Sequence, residues 1–203
     1  MKILVATTNS GKASEFKVML DMDIEWVSLA DFPDIIEVPE DGATFAENAR
    51  AKAVGYSKQT GLWTVADDSG LVVDALGGAP GVHSARFSGE KSESGQLLDY
   101  KNMTKVLELL ESVPSEKRTA RFNCNVCLAD GDDILIETCG KLAGAIAEKE
   151  MGENGFGYDP IFFVPSLQKT VAQLNAEEKN TISHRAEAVK KFKTELNQLI
   201  SGC

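Results

Sequence analysis

The apolar residues follow two different spacings along the chain, which predict alternating strands and helices. The apolar run from Lys2 to Ala6, closed by Thr-Thr-Asn, predicts a first strand. Ala13, Phe16 and Leu20 recur at the spacing of one helical face and predict a helix over about residues 11–20. By the same criteria we expect strands near residues 25–29, 63–66, 71–74, 118–128 and 134–147, and helices near 44–59, 96–111 and 183–200.

Polar signals mark the ends of several of these elements. Thr44 and Glu47 have the spacing of a capping box at the start of the second helix, and Gly61 follows its end. The polar residues 67–70 are expected to separate two short strands, and residues 129–133 to form the turn of a long hairpin.

This order of elements favours the α/β class. The sequence has no internal repeat, low-complexity tract or linker, and its 203 residues suit one domain or two closely joined lobes. We therefore expect residues 1–203 to form a single domain with two lobes and no separable linker.

Composition and charge exclude several classes of protein. The chain is 43% hydrophobic and 26% charged, which is typical of a globular protein, and its apolar runs are too short to cross a membrane. The N-terminal segment turns polar too soon for a signal peptide, so we expect a soluble, cytoplasmic protein without a membrane partner. A net charge of −10 argues against a nucleic-acid partner, because such proteins usually carry a basic surface.

Cys124 and Cys127 form a C-x-x-C motif, which is also found in zinc and redox sites. They lie in a predicted strand, where residues three apart face opposite sides and cannot share a ligand. We interpret them as buried structural thiols.

The polar segment between the first strand and the first helix is a candidate phosphate site. It consists of Thr7, Thr8, Asn9, Ser10, Gly11 and Lys12. Helix N-termini offer unpaired N–H groups and the positive end of the helix dipole, both of which suit phosphate. The spacing is not that of a Walker A loop, and a plain capped turn with a solvated lysine is the alternative.

Acidic residues from two separate segments could bind a hard cation such as Mg²⁺. Glu40 and Asp41 precede the second helix, and Asp67 and Asp68 follow a strand. Because adjacent strand residues point to opposite sides, we expect only one of Asp67 and Asp68 to face a cleft. A solvated acidic loop is the alternative in a chain with 31 acidic residues.

Three further side chains are candidates for binding a ligand. Lys52, four residues after Asn48, lies at the margin of the apolar face of its helix and could reach a cleft or simply extend to the surface. Phe156 stands among glycines and could stack on a nucleobase, or be tucked into the core. Arg185 is placed on the inward stripe of the last helix, where it needs an acidic partner, carbonyl groups or a ligand, whereas His184 could be a surface residue.

Five motifs occur in an order that resembles the inosine triphosphate pyrophosphatase family, also called XTP/dITP diphosphatases. The resemblance runs nearly end to end. The motifs are Thr7-x-Asn9-x-x-Lys12, Ala66-Asp67-Asp68-Ser69-Gly70-Leu71, the segment from Gly77 to Phe87, Gly155-Phe156-Gly157-Tyr158-Asp159-Pro160, and Ser183-His184-Arg185.

The resemblance implies a long, curved mixed β-sheet flanked by helices, with two lobes and a central substrate cleft. It implies a homodimer that uses Mg²⁺ to hydrolyse deaminated purine nucleoside triphosphates, namely ITP, dITP and XTP. The products would be the monophosphate and pyrophosphate, and the role would be to clear these nucleotides from the pool.

The resemblance also implies roles for individual residues. Thr7 to Lys12 would hold the triphosphate, Lys52 would neutralise its charge, and Glu40 and Asp68 would bind Mg²⁺. Asp68 would also be the general base, and Ser69 would touch the substrate. The residues that would form the base pocket are Phe156, Gly157, Tyr158, Asp159, Lys179, His184 and Arg185, of which Phe156 would stack on the base and the last three would read its 6-oxo group.

Other functions remain open from the residues alone. A nucleotide-binding regulator without turnover would not need the carboxylates Glu40 and Asp68. A nucleic-acid-binding module is disfavoured by the charge. A pyrophosphatase for modified pyrimidine triphosphates would differ only in its base preference.

Overall fold

The computed structural model of the chain describes residues 1–89 and 95–202. Its strands are β1 Lys2–Ala6, β2 Glu25–Ser28, β3 Trp63–Val73, β4 Thr119–Asp130, β5 Asp133–Ile146, β6 Phe162–Val164 and β7 Lys169–Thr170. Its helices are α1 Ser10–Met19, α2 Phe45–Thr60, α3 Gln96–Leu109, α4 Ala176–Ile182 and α5 His184–Ser201. The segments Asp74–Leu76 and Gly81–Arg86 are short 3-10 helices.

Within the described residues, seven strands form one open sheet in the order β2-β1-β3-β4-β5-β6-β7. β1 runs parallel to β2 and β3, whereas β6 runs antiparallel to β5 and β7. The sheet is therefore mixed, which confirms the predicted α/β class and mixed sheet. The two lobes with a central cleft stay a prediction.

The capping signals place α2 where they predicted it. The Glu47 N–H donates to Thr44 Oγ1 at 3.2 Å, and the Thr44 N–H donates to Glu47 Oε2 at 3.2 Å. Gly61 ends the helix with a φ of +68°, a left-handed conformation that glycine adopts without a steric penalty. The predicted hairpin is also confirmed, because β4 and β5 are neighbours joined through Gly131.

The prediction of two short strands around residues 67–70 is wrong, because β3 continues unbroken from Trp63 to Val73. Polar residues usually end a strand, but Asp67 and Asp68 are buried and each is paired with cationic or amide groups. Helix α4 was not predicted, although Asn175 and Glu178 form a capping box at its start.

Contacts divide the chain into two compact units, each built from separate segments. The first unit comprises Met1–Asp68, Cys124–Gly140 and His184–Cys203, and the second comprises Ser69–Asn123 and Lys141–Ser183. The single domain without a separable linker stays a prediction.

The first unit has two apolar clusters, on opposite faces of β1 and β3. Ile3 and Val65 pack with residues of α1 and α5, such as Phe16 and Phe192. Their strand neighbours Leu4 and Ala66 pack with Ala49 and Ala53 of α2. This alternation decides which helices each of the next two β3 residues, Asp67 and Asp68, will meet.

The two cysteines of the C-x-x-C motif lie in different clusters of the first unit. Cys124 packs in the cluster of α1 and α5, and Cys127 packs in the cluster of α2. Both are buried free thiols, and burial raises the pKa of each to about 12. The prediction of buried structural thiols is confirmed.

Candidate active site

The carboxyl end of β1 leads directly into the predicted phosphate segment. Ala6 is paired with Ala66 in the parallel strands, so the segment and Asp67 begin at the same edge. Thr7, Thr8 and Asn9 connect β1 to α1, and Ser10, Gly11 and Lys12 form the first turn of α1. Asn9 caps this helix, because its Oδ1 accepts from the Lys12 N–H at 3.0 Å. The turn carries no acidic side chain, which suits an anionic ligand.

A chain of four alternating charges lies beside this segment in the first unit. Asp67 Oδ2 is 3.0 Å from Lys12 Nζ and accepts from Arg185 Nη2 at 3.4 Å. Arg185 Nη1 also donates to Glu15 of α1. Asp67 and Arg185 are each only 1% exposed. The prediction that Arg185 points inward is confirmed, and its acidic partners are Glu15 and Asp67.

Asp67 remains ionised despite its burial. Burial would raise the pKa of its carboxyl, but Lys12, Arg185 and Lys52 outweigh that effect and hold the pKa well below its usual value. Asp67 therefore serves as a fixed negative charge that orients Lys12.

Asp68 faces the other side of β3 and meets a different set of partners. Its Oδ2 accepts from Asn48 Nδ2 at 2.9 Å, and its Oδ1 is 4.0 Å from Lys52 Nζ. Lys52 Nζ also donates to Glu40 Oε1 at 3.0 Å. The two predicted metal carboxylates, Glu40 and Asp68, therefore converge on one ammonium group. Lys52 is buried and does not extend to the surface.

The pKa values of Asp68 and Lys52 are raised, whereas the pKa of Asp67 is lowered. Burial raises the pKa of Asp68 above its usual value, and Lys52, Lys12 and the Asn48 hydrogen bond offset this only in part. Burial would lower the pKa of Lys52, but Asp67, Glu40 and Asp68 together raise it. Neighbouring carboxylates with opposite shifts are typical of sites that assign them different roles.

The donor set here suits a metal ion that brings other ligands with it. No group of three His, Cys, Asp or Glu side chains able to hold a metal occurs among residues 1–89 and 95–202. Glu40 and Asp68 supply two carboxylates, and Mg²⁺ usually takes one or two carboxylates with water and substrate phosphates as its remaining ligands. The two residues therefore fit Mg²⁺ bound together with a triphosphate.

In the second unit, the predicted base-contacting segment forms a tight loop. The N–H of Phe156 donates to Asp159 Oδ2 at 3.0 Å, and the N–H of Gly157 donates to Asp99 Oδ2 at 2.9 Å. Gly155 has a φ of +79°, and a Cβ there would lie 2.1 Å from Asp159 Oδ2. This close approach explains why the loop requires glycine at that position.

The two aromatic residues of this loop have different surroundings. Tyr158 is buried in the apolar core of the second unit and donates through its hydroxyl to the carbonyl of Ser84 at 2.8 Å. Phe156 is half-buried, and Lys179 Nζ lies 4.4 Å from its ring centroid. Lys179 Nζ also donates to Asp159 Oδ2 at 2.6 Å, so the ammonium covers one face of the Phe156 ring.

The remaining predicted residues are placed as follows. Ser69 follows Asp68 on β3 and is half-buried. His184 starts α5 and is buried, so it is not the exposed residue that the alternative interpretation describes. Sequence reasoning gave no role to Glu15, Asn48 or Asp99, although the Asn48 and Lys52 spacing on one face of α2 was a usable signal for Asn48.

Together these features define an α/β protein with a candidate site for a phosphorylated ligand. A mixed α/β sheet carries a polar segment at a helix N-terminus, the half-buried Lys12, the buried Lys52 and the buried carboxylates of Asp67 and Asp68 at one strand edge. This combination suits the chemistry of a phosphorylated ligand.

Comparison with known proteins assigns the chain to a family. The Ham1 family model matches residues 3–195, so the chain belongs to the Ham1 family. It is 48% identical over 200 residues to a dITP/XTP pyrophosphatase of Listeria monocytogenes serotype 4b, with 98% of this chain and 96% of that protein covered. The resemblance inferred from the five motifs is thereby confirmed.

Solved structures give the same assignment. A HAM1 protein from Coxiella burnetii superposes with a TM-score of 0.86 at 40% identity, covering 98% of this chain and 99% of that one. A nucleoside-triphosphatase, dITP/XTP pyrophosphatase, from Mycobacterium abscessus superposes with a TM-score of 0.76 at 44% identity, covering 95% and 98%.

Proposed function

We propose that this chain hydrolyses the deaminated purine nucleotides ITP, dITP and XTP to the monophosphate and pyrophosphate, and so clears them from the nucleotide pool. It is an enzyme, a hydrolase of nucleoside triphosphates, as is its 48% identical relative, a dITP/XTP pyrophosphatase. The observation that carries the proposal is the pair of lysines of low exposure, Lys12 and Lys52, each held by carboxylates at the edge of β1 and β3.

The two lysines and the start of α1 would bind the triphosphate. A triphosphate carries about four negative charges, so local cations must overcome the net charge of −10 on the protein. Lys12 and Lys52 are oriented by Asp67, Glu40 and Asp68 before the substrate arrives, which lowers the cost of assembling the site. The N–H groups of residues 10–12 add donors for phosphate oxygens.

Glu40 and Asp68 would hold Mg²⁺, which when bound neutralises phosphate charge and polarises the phosphoryl group. Asp68 Oδ2 is engaged by Asn48, which leaves Oδ1 as the oxygen on the Lys52 side. From that position Asp68 would orient the attacking water and accept its proton, while Lys52 balances the charge of the leaving pyrophosphate.

The loop of the second unit would bind the base. Phe156 offers a ring whose one face is covered by Lys179, so a base would stack on the opposite face. Gly157, Tyr158 and Asp159 shape the loop, and His184 and Arg185 are proposed to read the 6-oxo group. A site that hydrogen-bonds this oxygen discriminates strongly against adenine, which presents a donor there.

The test is a panel of nucleotides with identified products. The protein is incubated with Mg²⁺ and, separately, with dITP, XTP, GTP, ATP and dUTP, and the products are separated by ion-exchange chromatography. We expect monophosphate and pyrophosphate from dITP and XTP, with little from the others. Tight dITP binding without turnover would indicate a regulator, and preferential hydrolysis of dUTP would indicate the pyrimidine enzyme.

Replacing Phe156 with alanine should weaken substrate binding more than chemistry. Loss of one stacked base costs about 1–3 kcal/mol, so KM for dITP should rise by roughly 5- to 150-fold with a smaller change in kcat. Phe87→Ala is the matched control, because Lys105 Nζ lies 4.7 Å from the Phe87 ring in the same kind of contact. Equal KM values for Phe156→Ala and wild type would remove Phe156 from the base site.

The proposal extends to the location, the assembly and the partners of the protein. No helix in the described part of the chain is long and apolar enough to cross a membrane. A cytoplasmic location, a homodimer and the lack of a nucleic-acid partner stay predictions. Size-exclusion chromatography with light scattering would measure the oligomeric state.

A further inference from the structure

We propose that Asn48 is a positioning residue that holds Glu40 and Asp68 in the register needed to bind Mg²⁺, an inference that rests on the proposed function. Asn48 lies in the second turn of α2 and is 0% exposed. Its amide joins two separate segments of the first unit. Nδ2 donates to Asp68 Oδ2 at 2.9 Å, and Oδ1 accepts from the N–H of Gly42 at 2.8 Å.

The direction of this bridge is forced by its backbone partner. The N–H of Gly42 can only donate, so the Asn48 oxygen must face it and the Asn48 NH₂ must face Asp68. Asp68 Oδ2 is thereby held as an acceptor, and Oδ1 is turned toward Lys52. The Asn48 amide satisfies both partners at once, because it carries a donor and an acceptor.

The loop that carries Glu40 is clamped against α2 beside this amide. A Cβ on Gly42 would lie 2.7 Å from Asn48 Oδ1 and 2.8 Å from Glu47 Cβ, so only glycine fits this approach. Glu47 Oε2 also accepts from the N–H of Ala43 at 2.7 Å. Glu40 lies two residues before Gly42. The contacts of Gly42 and Ala43 with α2 therefore restrict how far the Glu40 backbone can move from Asp68.

Asn48 and Lys52 bridge the same two segments, but only one bridge is expected to persist during turnover. Lys52 contacts Glu40 at 3.0 Å and Asp68 at 4.0 Å, and it lies one helical turn after Asn48. When a triphosphate binds, Lys52 must share its charge with phosphate oxygens. Asn48 is uncharged and fully buried, so its hydrogen bonds continue to hold the two carboxylates together. Partners that orient metal ligands typically affect metal affinity by about 10- to 100-fold.

The test measures Mg²⁺ binding without turnover. Mg²⁺ is titrated by isothermal calorimetry into protein saturated with a dITP analogue in which a methylene group replaces the bridging oxygen between the α- and β-phosphates. We expect Asn48→Ala to weaken Mg²⁺ binding by about 10- to 100-fold. In hydrolysis assays, the Mg²⁺ concentration for half-maximal rate should rise by the same factor.

Gly42→Ala provides a second variant in which Asn48 is intact. Its new Cβ displaces the Glu40 loop from the Asn48 oxygen, so Mg²⁺ affinity should fall here too. This variant decides the question if Asn48→Ala does not fold, as judged by thermal unfolding. Wild-type Mg²⁺ affinity in either folded variant would overturn the proposal.

Asn102 is the matched control. It is 1% exposed, and its amide also accepts from a backbone N–H, that of Ser88 at 2.7 Å, and donates to the carbonyl of Ala85 at 3.1 Å. Asn102→Ala should lower the melting temperature but leave Mg²⁺ affinity unchanged. An equal loss of Mg²⁺ affinity in Asn102→Ala would reduce the effect of Asn48 to a general loss of structure. Failure of the proposed function is distinguishable, because the wild-type protein itself would then neither bind Mg²⁺ with the analogue nor hydrolyse dITP.

Discussion

Asp68→Asn should lower kcat for dITP by about 10³-fold with little change in stability. A general base contributes typically 10²- to 10⁴-fold to a rate, and asparagine can neither accept a proton from water nor supply an anionic ligand to Mg²⁺. The amide has the shape of the carboxylate, and its oxygen can still accept from Asn48 Nδ2. The checks are kcat from a pyrophosphate-release assay and the melting temperature by circular dichroism.

Two other aspartates of the chain make this prediction sharper. Asp74 lies at an exposed position after β3, where it pairs with Arg121 at 2.7 Å, so Asp74→Asn should keep wild-type kcat. Asp67→Asn should instead lower the melting temperature, because Lys12 and Arg185 would lose the charge of a buried partner. Near wild-type turnover of Asp68→Asn would refute the role of Asp68.

Arg185→Met should destabilise the fold by about 3–5 kcal/mol. The guanidinium of Arg185 lies between Glu15 and Asp67, and its removal takes a charged partner from two carboxylates of low exposure. Breaking a buried ion pair from one side typically costs this much, because the desolvated charge loses its compensation. For a chain of this size the melting temperature should fall by roughly 6–20 °C.

The matched control is an ion pair of the same chemistry at the surface. Arg50 Nη2 donates to Glu137 Oε2 at 2.8 Å, but the two side chains are 51% and 36% exposed. Arg50→Met should therefore cost about 1 kcal/mol or less.

The Arg185→Met variant also tests the predicted base-reading role of Arg185. If Arg185→Met kept the wild-type melting temperature and hydrolysed dITP and ATP equally well, Arg185 would act on the base and not on the ion pairs.

Local sequence signals predicted most of the secondary structure. The Thr44 and Glu47 capping box and Gly61 set the ends of α2, and the turn at residues 129–133 set the hairpin, because these signals act through bonds between near neighbours in the chain. They failed at residues 67–70, where polarity predicted a break. The strand continues because Lys12, Arg185, Asn48 and Lys52, all distant in sequence, satisfy the buried aspartates.

The sequence by itself determined the α/β class, the family and the identity of the residues proposed to act on the substrate. Motif order and residue type are properties of the chain, and they are visible without coordinates. The tertiary structure decided which of these residues meet. It gave Asp67 and Asp68 their different partners on the two faces of β3, joined Arg185 to Glu15, and put Asn48 between Asp68 and Gly42. These pairings depend on how strands and helices pack, and packing brings together residues whose separation in the sequence carries no signal.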